Sequence, residues 1–159
     1  MRKKYRFSLR GRNVWIAGHT GMVGSAILKR LKKEKCRILT IEQSKLDLTD
    51  QSKTENWIKK NRPDVVFIAA ARVGGILANS NNQSDFLYDN LMIQNNIIKL
   101  ASVNNIKKLI FLGSSCIYPK FSKQPINEKQ LMQGPLEETN EGYALAKIAG
   151  LKLCSYLNI

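Results

Sequence analysis

One short segment constrains the fold of this chain more than any other. It is the triple-glycine loop Gly18-His19-Thr20-Gly21-Met22-Val23-Gly24. A short apolar run over residues 13–18 predicts a buried strand before the loop, and helical periodicity over residues 21–34 predicts a helix after it. A strand, a G-x-x-G-x-x-G turn and a helix in this order are typical of a site for a dinucleotide pyrophosphate. The first glycine permits the tight turn, the second lets the pyrophosphate approach the backbone, and the third lets the helix pack on the sheet. Free N–H groups of the first helical turn, together with the helix dipole, favour the phosphate charge.

The rest of the chain alternates apolar runs with helical stretches. The pattern predicts further strands over 37–41, 64–70 and 107–113, and further helices over 50–61, 85–104 and 139–157. Asp50 is the expected N-cap of the second helix. We expect residues 114–138, which contain three prolines, to be irregular. Alternation of this kind predicts an α/β fold with a Rossmann-like doubly wound parallel sheet, helices lying on both faces.

Charge and cysteine content narrow the classes of partner. The chain has 26 Lys and Arg against 12 Asp and Glu, a net charge of +14 that favours an anionic ligand such as a nucleotide. Beyond residue 12 the basic residues are scattered and no nucleic-acid-binding motif accompanies them, so we expect no nucleic-acid partner. No apolar stretch reaches about 18 residues, so we expect no membrane span. Cys36, Cys116 and Cys154 are too few and too scattered for a disulfide framework or a metal site, which fits a cytoplasmic protein.

Candidate ligand-binding residues follow the second predicted strand. Glu42 stands where Rossmann-type proteins often place an acid that holds the adenosine ribose hydroxyls. Lys45 could instead meet a 2′-phosphate, and the segment could equally be a solvated turn. Asp47 could receive the adenine amino group.

Candidate proton-transfer residues follow the fourth predicted strand. Ser114 comes directly after it, at the sheet edge where ligands of open α/β sheets bind. Tyr143 and Lys147 lie four residues apart and therefore share one face of the last predicted helix. The ammonium would lower the pKa of Tyr143, whose phenol could exchange a proton with a sugar or alcohol oxygen that Ser114 also contacts. Cys116 is either a small buried hydrophobe or, with a lowered pKa, an acid-base group.

Together these residues resemble the extended short-chain dehydrogenase/reductase superfamily and, within it, the GDP-L-fucose synthase family. The stretches that carry the resemblance are 16–28 (IAGHTGMVGSAIL), 69–76 (AAARVGGI), 112–120 (LGSSCIYPK), Gln124-Pro125 and 136–154 (LEETNEGYALAKIAGLKLC). The resemblance implies an NADP-dependent epimerase-reductase that converts GDP-4-keto-6-deoxy-D-mannose to GDP-L-fucose. Two epimerisations beside the 4-keto group would precede reduction of the ketone by hydride.

The resemblance also implies roles for matching residues. Tyr143 would be the general acid/base, Lys147 its partner and a ligand of the nicotinamide ribose, Ser114 the third member, and Cys116 the group that acts beside the reacting carbons. The cofactor-contacting residues would be the glycine loop together with Leu112, Gly113, Ser114 and Ser115. NADPH is the implied cofactor, and NADH stays open because Thr20 and the segment Ile41-Glu42-Gln43 stand where the family usually carries arginines.

Members of this family continue well beyond 159 residues, with the remaining strands, a GDP-sugar domain and a histidine that partners the cysteine. His19, which lies in the cofactor loop, is not that histidine. We therefore expect residues 13–159 to form a truncated NAD(P)-binding Rossmann domain, and we expect this chain to be poorly active alone. Residues 1–12 are expected to be a basic N-terminal extension. The implied partners are a GDP-sugar substrate and, at full length, a second copy in a homodimer. Another NDP-sugar epimerase, dehydratase or reductase and a non-catalytic nucleotide-binding remnant are the alternatives.

Overall fold

The computed structural model describes residues 7–158, which form a four-stranded parallel sheet with helices on both faces. The elements follow in the order β1 (Asn13–Ala17), α1 (Met22–Leu31), β2 (Arg37–Leu39), α2 (Gln51–Asn61), β3 (Val65–Ile68), α3 (Ile76–Asn81), α4 (Gln83–Val103), β4 (Lys108–Phe111) and α5 (Glu141–Leu157). The predicted α/β class and parallel sheet are confirmed. Among the helices of residues 7–158, none is both long and apolar enough to cross a bilayer.

The strand order is β2-β1-β3-β4, and every pairing is parallel. Val14 of β1 stands opposite Ile38 of β2 on one side and opposite Val65 of β3 on the other. The direction in which strands are added therefore reverses beside β1. In open α/β sheets, the crevice at such a reversal, outside the carboxyl ends of the strands, is where ligands bind.

Successive side chains of β1 enter two different cores, because neighbouring residues of a strand point to opposite faces of the sheet. Trp15 packs in one core with Ile58 of α2 and Ile97 of α4. Val14 belongs to the other core, which includes Leu31 of α1. Burial on both faces explains why this strand reads as a continuous apolar run rather than an alternating one.

Several element boundaries differ from the sequence prediction. The strands are one to three residues shorter at their ends than predicted, and helix α3 was not predicted at all. None of the residues in α3 is buried, so no apolar periodicity marks it in the sequence. The stretch from 114 to 138 is irregular as expected, apart from the short 3-10 turns Ser115–Ile117 and Glu128–Gln130. Asp50 caps α2 as predicted, since its side chain accepts a hydrogen bond from the Lys53 N–H.

The last residues before β1 pack on the domain. The Gly11 N–H donates to the Lys35 carbonyl at 2.7 Å, and the Arg37 N–H donates to the Arg12 carbonyl at 2.9 Å. Leu9 contacts the core on the α1 face. The basic residues Arg2, Lys3, Lys4 and Arg6 lie outside the described part of the chain, so the boundary between 1–12 and 13–159 stays a prediction.

Asp64 joins the beginnings of β1 and β4. Its Oδ2 accepts a hydrogen bond from the Asn13 N–H at 2.9 Å, and its Oδ1 lies 3.0 Å from Lys107 Nζ. These contacts, the Asn13 N–H first and Lys107 next, lower the pKa of Asp64 below its ordinary 3.8. We expect Asp64→Asn to reduce the free energy of unfolding at pH 7 by about 1 kcal/mol. Because the folded-state pKa is depressed, this contribution is present above the ordinary pKa and is lost as the pH falls through the folded value.

Urea unfolding at a series of pH values tests this expectation. The difference between wild type and Asp64→Asn should be full at pH 7 and should shrink as the solution is acidified. Glu55→Gln is the matched control, because Glu55 pairs with Lys59 on the exposed face of α2 and such pairs contribute little. An Asp64→Asn difference that does not change with pH would contradict the assignment.

Candidate functional site

A cleft of about 600 Å³ lies at the carboxyl ends of β1, β2 and β3. Apolar side chains line part of it, among them Trp15, Leu46 and Ile93. The glycine loop forms one wall, and residues 69–73, which follow β3, form another. The cleft therefore occupies the strand-order reversal at which the topology predicts a ligand.

At two of the three loop glycines, packing of the backbone leaves no room for a side chain. Gly18 has a φ of +85°, and a Cβ there would lie 2.4 Å from the backbone nitrogen of Ala70. A Cβ on Gly24 would lie 2.0 Å from the Gly18 carbonyl oxygen. A Cβ on Gly21 meets nothing closer than 3.6 Å, so the protein leaves room there. The space beside Gly21 faces the cleft, where a pyrophosphate against the backbone would use it.

The first turn of α1 is free to meet an anion. Gly21 is its N-cap and supplies no side-chain hydrogen bond, and the first turn carries no acidic residue. Met22 and Val23 are exposed at the helix start. Backbone N–H groups without capping side chains, at the positive end of a helix dipole, fit a dinucleotide pyrophosphate.

The segment after β2 contributes less to the cleft than predicted. Glu42 is 59 % exposed and is not among the lining residues; its Oε1 lies 3.8 Å from His19 Nε2. Gln43 lines the cleft instead. Asp47 also lines it, but its Oδ1 already accepts hydrogen bonds from the Thr49 N–H and hydroxyl. The ribose and adenine roles of Glu42 and Asp47 stay predictions.

Arg72 is a cleft residue to which the sequence analysis assigned no role. Its Nη1 lies 2.6 Å from Asp89 Oδ2 and its Nη2 lies 3.4 Å from Asp85 Oδ2. Asn90 fixes its backbone, accepting from the Arg72 N–H and donating to the Arg72 carbonyl, both at 2.9 Å. Its position just after β3 could have marked Arg72 as a candidate cleft residue, because ligands bind at that edge of the sheet. Its ion pairs depend on tertiary structure and could not be predicted.

The four predicted catalytic residues come together at the same edge of the sheet, beyond β4. Ser114 and Cys116 lie in the turn that follows β4, and the Cys116 thiol donates to Ser114 Oγ at 3.1 Å. Tyr143 and Lys147 belong to α5, which packs against this turn, since Cys116 contacts the core cluster that contains Ala144 and Ile148 of α5. Lys147 Nζ donates to the Leu112 carbonyl at 3.2 Å and lies 5.7 Å from the centre of the Tyr143 ring. The remaining predicted cofactor residues of this turn, Gly113 and Ser115, are exposed.

Burial controls the ionisation of Tyr143 and Lys147. Lys147 is only 4 % exposed, and burial lowers its pKa from 10.5 to about 8. Burial, followed by the charge of Cys116, raises the pKa of Tyr143 above its ordinary 10. The prediction that Lys147 lowers the pKa of Tyr143 is therefore wrong, since desolvation dominates and the ammonium donates to the Leu112 carbonyl instead.

Phe111 and Trp15, two aromatic residues of the sheet, differ in burial. Trp15 is fully buried and packs on Trp57 with ring centres 4.4 Å apart. Phe111 is half-buried, and Lys147 Nζ lies 4.7 Å from the centre of its ring. Its ring thus forms part of the surroundings of the ammonium.

Comparison with known proteins gives a family match over nearly the whole chain. The family described as the NAD dependent epimerase/dehydratase family matches residues 14–158. The GDP-L-fucose synthase of Sinorhizobium fredii is 52 % identical over 148 residues, which cover 93 % of this chain and 47 % of that protein. The GDP-L-fucose synthase of Escherichia coli is 51 % identical over 146 residues, 91 % of this chain and 46 % of that protein.

The fold is also similar to solved structures. A GDP-mannoheptose C4 reductase from Campylobacter jejuni, solved with NADP bound, superposes with a TM-score of 0.90 at 37 % identity, covering 96 % of this chain and 48 % of that one. This chain spans about half the length of the curated relatives that it matches. The similarity that the sequence motifs indicated is confirmed.

Proposed function

Because this chain belongs to the NAD dependent epimerase/dehydratase family, we propose that it binds NADP(H) and serves the conversion of GDP-4-keto-6-deoxy-D-mannose to GDP-L-fucose. The relatives that are about half identical to it are GDP-L-fucose synthases. A GDP-sugar substrate, a Rossmann domain over residues 13–159 and a homodimeric assembly belong to the same proposal. One observation carries it: the turn that holds Ser114 and Cys116 packs against α5, which holds Tyr143 and Lys147, at the sheet edge that also holds the glycine-loop cleft.

The chain's own groups divide the work of holding the cofactor. The backbone around Gly21 and the uncapped first turn of α1 would hold the pyrophosphate. Lys147 would hold the nicotinamide ribose, and the bound dinucleotide would supply the hydride for ketone reduction. The net charge of +14 attracts both the dinucleotide and a GDP-sugar.

The proton chemistry follows from the same four residues. The raised pKa of Tyr143 keeps its phenol protonated at neutral pH, which suits donation of a proton to the sugar oxygen during reduction. Ser114 would hydrogen-bond that oxygen. Cys116 would remove and return protons on the carbons beside the ketone, with Ser114 Oγ 3.1 Å from its sulfur.

Reduction without epimerisation is the second candidate, favoured by the similarity to the C. jejuni C4 reductase at a TM-score of 0.90. The two candidates differ in whether protons on the carbons beside the ketone exchange with solvent. Deuterium from D₂O would enter both positions only if epimerisation occurs.

The test separates cofactor binding from chemistry. NADPH is titrated by its nicotinamide fluorescence, and GDP-4-keto-6-deoxy-D-mannose is incubated with protein and NADPH in D₂O. In the full-length protein we expect Tyr143→Phe to bind NADPH like the wild type but to lower the rate of ketone reduction about 10²-fold or more. Cys116→Ser should lose deuterium incorporation beside the ketone while NADPH affinity is retained. Wild-type protein that binds neither NADPH nor NADH would rule the proposal out.

A further inference from the structure

Helix α4 carries a row of amide side chains on one face. Gln83, Asn90 and Gln94 are spaced by seven and four residues, which places them on one side of a helix. Asn90 and Gln94 are each 2 % exposed. Asn90 fixes the backbone of Arg72 in the cleft, whereas Gln83 and Gln94 both bind α5, which packs along α4. Burial of an amide such as that of Asn90 or Gln94 costs desolvation free energy unless its hydrogen bonds offset the cost.

Gln83 binds the first turn of α5 and the turn that precedes it, one with each end of its amide. Its Nε2 donates to the Glu138 carbonyl at 2.7 Å, and its Oε1 accepts from the Gly142 N–H at 2.9 Å. Asn140, the N-cap of α5, makes no side-chain cap hydrogen bond, so Gln83 supplies a cap from another helix. A Cβ on Gly142 would lie 2.5 Å from the Gln83 carbonyl oxygen, so the two backbones touch here. The residue after this contact is Tyr143.

Gln94 binds α5 one turn later. Its Nε2 donates to the Ala146 carbonyl, and the next residue is Lys147. Gly150 makes room for it, since a Cβ there would lie 2.8 Å from Gln94 Oε1 and 2.7 Å from Cζ of Phe111. The Oε1 itself has no hydrogen-bond partner within the described residues. A fully buried amide that leaves its own oxygen unpaired is costly, and the contact that it makes through Nε2 is to the backbone that carries Lys147.

We propose that Gln83 and Gln94 are positioning residues, which fix the rotation and height of α5 and so hold Tyr143 and Lys147 against Ser114 and Cys116. The two amides hold backbone positions 142 and 146, four residues and about one helical turn apart. Two attachment points along one helix prevent both its rotation and its sliding, whereas apolar packing alone tolerates small movements of either kind. The inference rests on the proposed function for the roles of Tyr143 and Lys147.

The experiment reads the environment of Lys147 directly, without turnover. The protein without cofactor is labelled with limiting acetic anhydride at a series of pH values, and the labelling of Lys147 is quantified by peptide mass spectrometry. In Gln94→Met and Gln83→Met, which keep side-chain length and lose the amide, we expect the midpoint of the Lys147 profile to move by about half a pH unit or more. Gln83→Glu keeps the acceptor for the Gly142 N–H and should restore the wild-type midpoint at least in part.

Asn96→Leu, which keeps the branched shape of the side chain and loses the amide, is the matched control. Asn96 is also a buried amide of α4, but it donates to the Leu48 and Thr49 carbonyls, away from α5. Its loss should leave the Lys147 profile unchanged. Urea unfolding identifies variants that do not fold; if Gln94→Met is one, Gln83→Met decides. Folded variants whose Lys147 profile coincides with the wild type would overturn the inference, even if their stability is lower.

Failure of the proposed function gives a different result in the same assay. NADPH should protect wild-type Lys147 from labelling if Lys147 binds the nicotinamide ribose. Absence of protection would count against the cofactor role, whereas the profiles of the glutamine variants are measured without NADPH.

Discussion

Gly24→Ala should destabilise this protein severely, whereas Gly21→Ala should leave it folded and weaken dinucleotide binding. A Cβ at position 24 would lie 2.0 Å from the Gly18 carbonyl oxygen, which is backbone and has little freedom to move. Gly18 is itself held, because its own Cβ position is 2.4 Å from the Ala70 nitrogen of the neighbouring strand segment. We expect a loss of about 3 kcal/mol, at the upper end of typical overpacking costs and a large part of the stability of a domain.

For Gly21→Ala we expect little change in stability and a large change in cofactor binding. A Cβ there has 3.6 Å to its nearest protein neighbour, so alanine fits and should change the free energy of unfolding by about 1 kcal/mol or less, the cost of a poorer N-cap. The methyl group would instead project into the space proposed for the pyrophosphate. We expect the affinity for NADPH to fall about tenfold or more.

Urea unfolding followed by tryptophan fluorescence measures the first effect, and titration with NADPH measures the second. Each variant is the control for the other, since both add one methyl group to the same loop. A Gly24→Ala protein as stable as the wild type would refute the packing role. A Gly21→Ala protein of normal stability and normal NADPH affinity would refute the binding role.

The sequence predicted those parts of the molecule that depend on local pattern. The strand-turn-helix around the glycine loop could be recognised because periodicity and glycine spacing are properties of neighbouring residues. Helix α3 could not be recognised, because it buries no residue and therefore has no periodic apolar face. The ion pairs that Arg72 makes beside the cleft could not be predicted, because Asp85 and Asp89 come from helix α4.

The candidate site shows the same division. Tyr143 and Lys147 could be paired from their spacing, and Ser114 could be placed from its position after a strand. Their ionisation could not be inferred, because it depends on burial, which results from the packing of α5 on α4 and β4. The pKa of Tyr143 was wrongly predicted for this reason. The spacing of the two residues showed that the Lys147 ammonium is nearby, but it could not show how strongly burial desolvates both groups.

Burial of Lys147 leads to the second large effect: Lys147→Met should make the protein more stable at pH 7 while it impairs cofactor binding. The pKa of Lys147 is lowered from 10.5 to about 8 in a side chain only 4 % exposed. Since one unit corresponds to 1.36 kcal/mol, the charged form is disfavoured by about 3 kcal/mol in the folded state. Methionine fills a similar volume without that cost.

The sign of the pH dependence follows from the lowered pKa. Below about pH 8 Lys147 is protonated in the folded and in the unfolded state. The folded state is then destabilised by the full free-energy cost of burying the ammonium. Between about 8 and 10.5 the unfolded chain binds more protons than the folded one, so the free energy of unfolding rises with pH. The advantage of Lys147→Met should therefore be largest at neutral pH and should decrease through this window.

Urea unfolding of both proteins between pH 7 and 10 measures the effect. Cys36 and Cys154, whose pKa values burial raises, titrate in both proteins and cancel in the difference, whereas the raised pKa of Tyr143 lies above this pH range. Lys99→Met is the matched control, because Lys99 is exposed on α4 and its removal should give a small difference that does not vary with pH. A Lys147→Met protein less stable than the wild type at pH 7 would contradict the expectation. A Lys147→Met protein that is more stable than the wild type but has lost affinity for NADPH would show that the buried ammonium serves binding and lowers the stability of the fold.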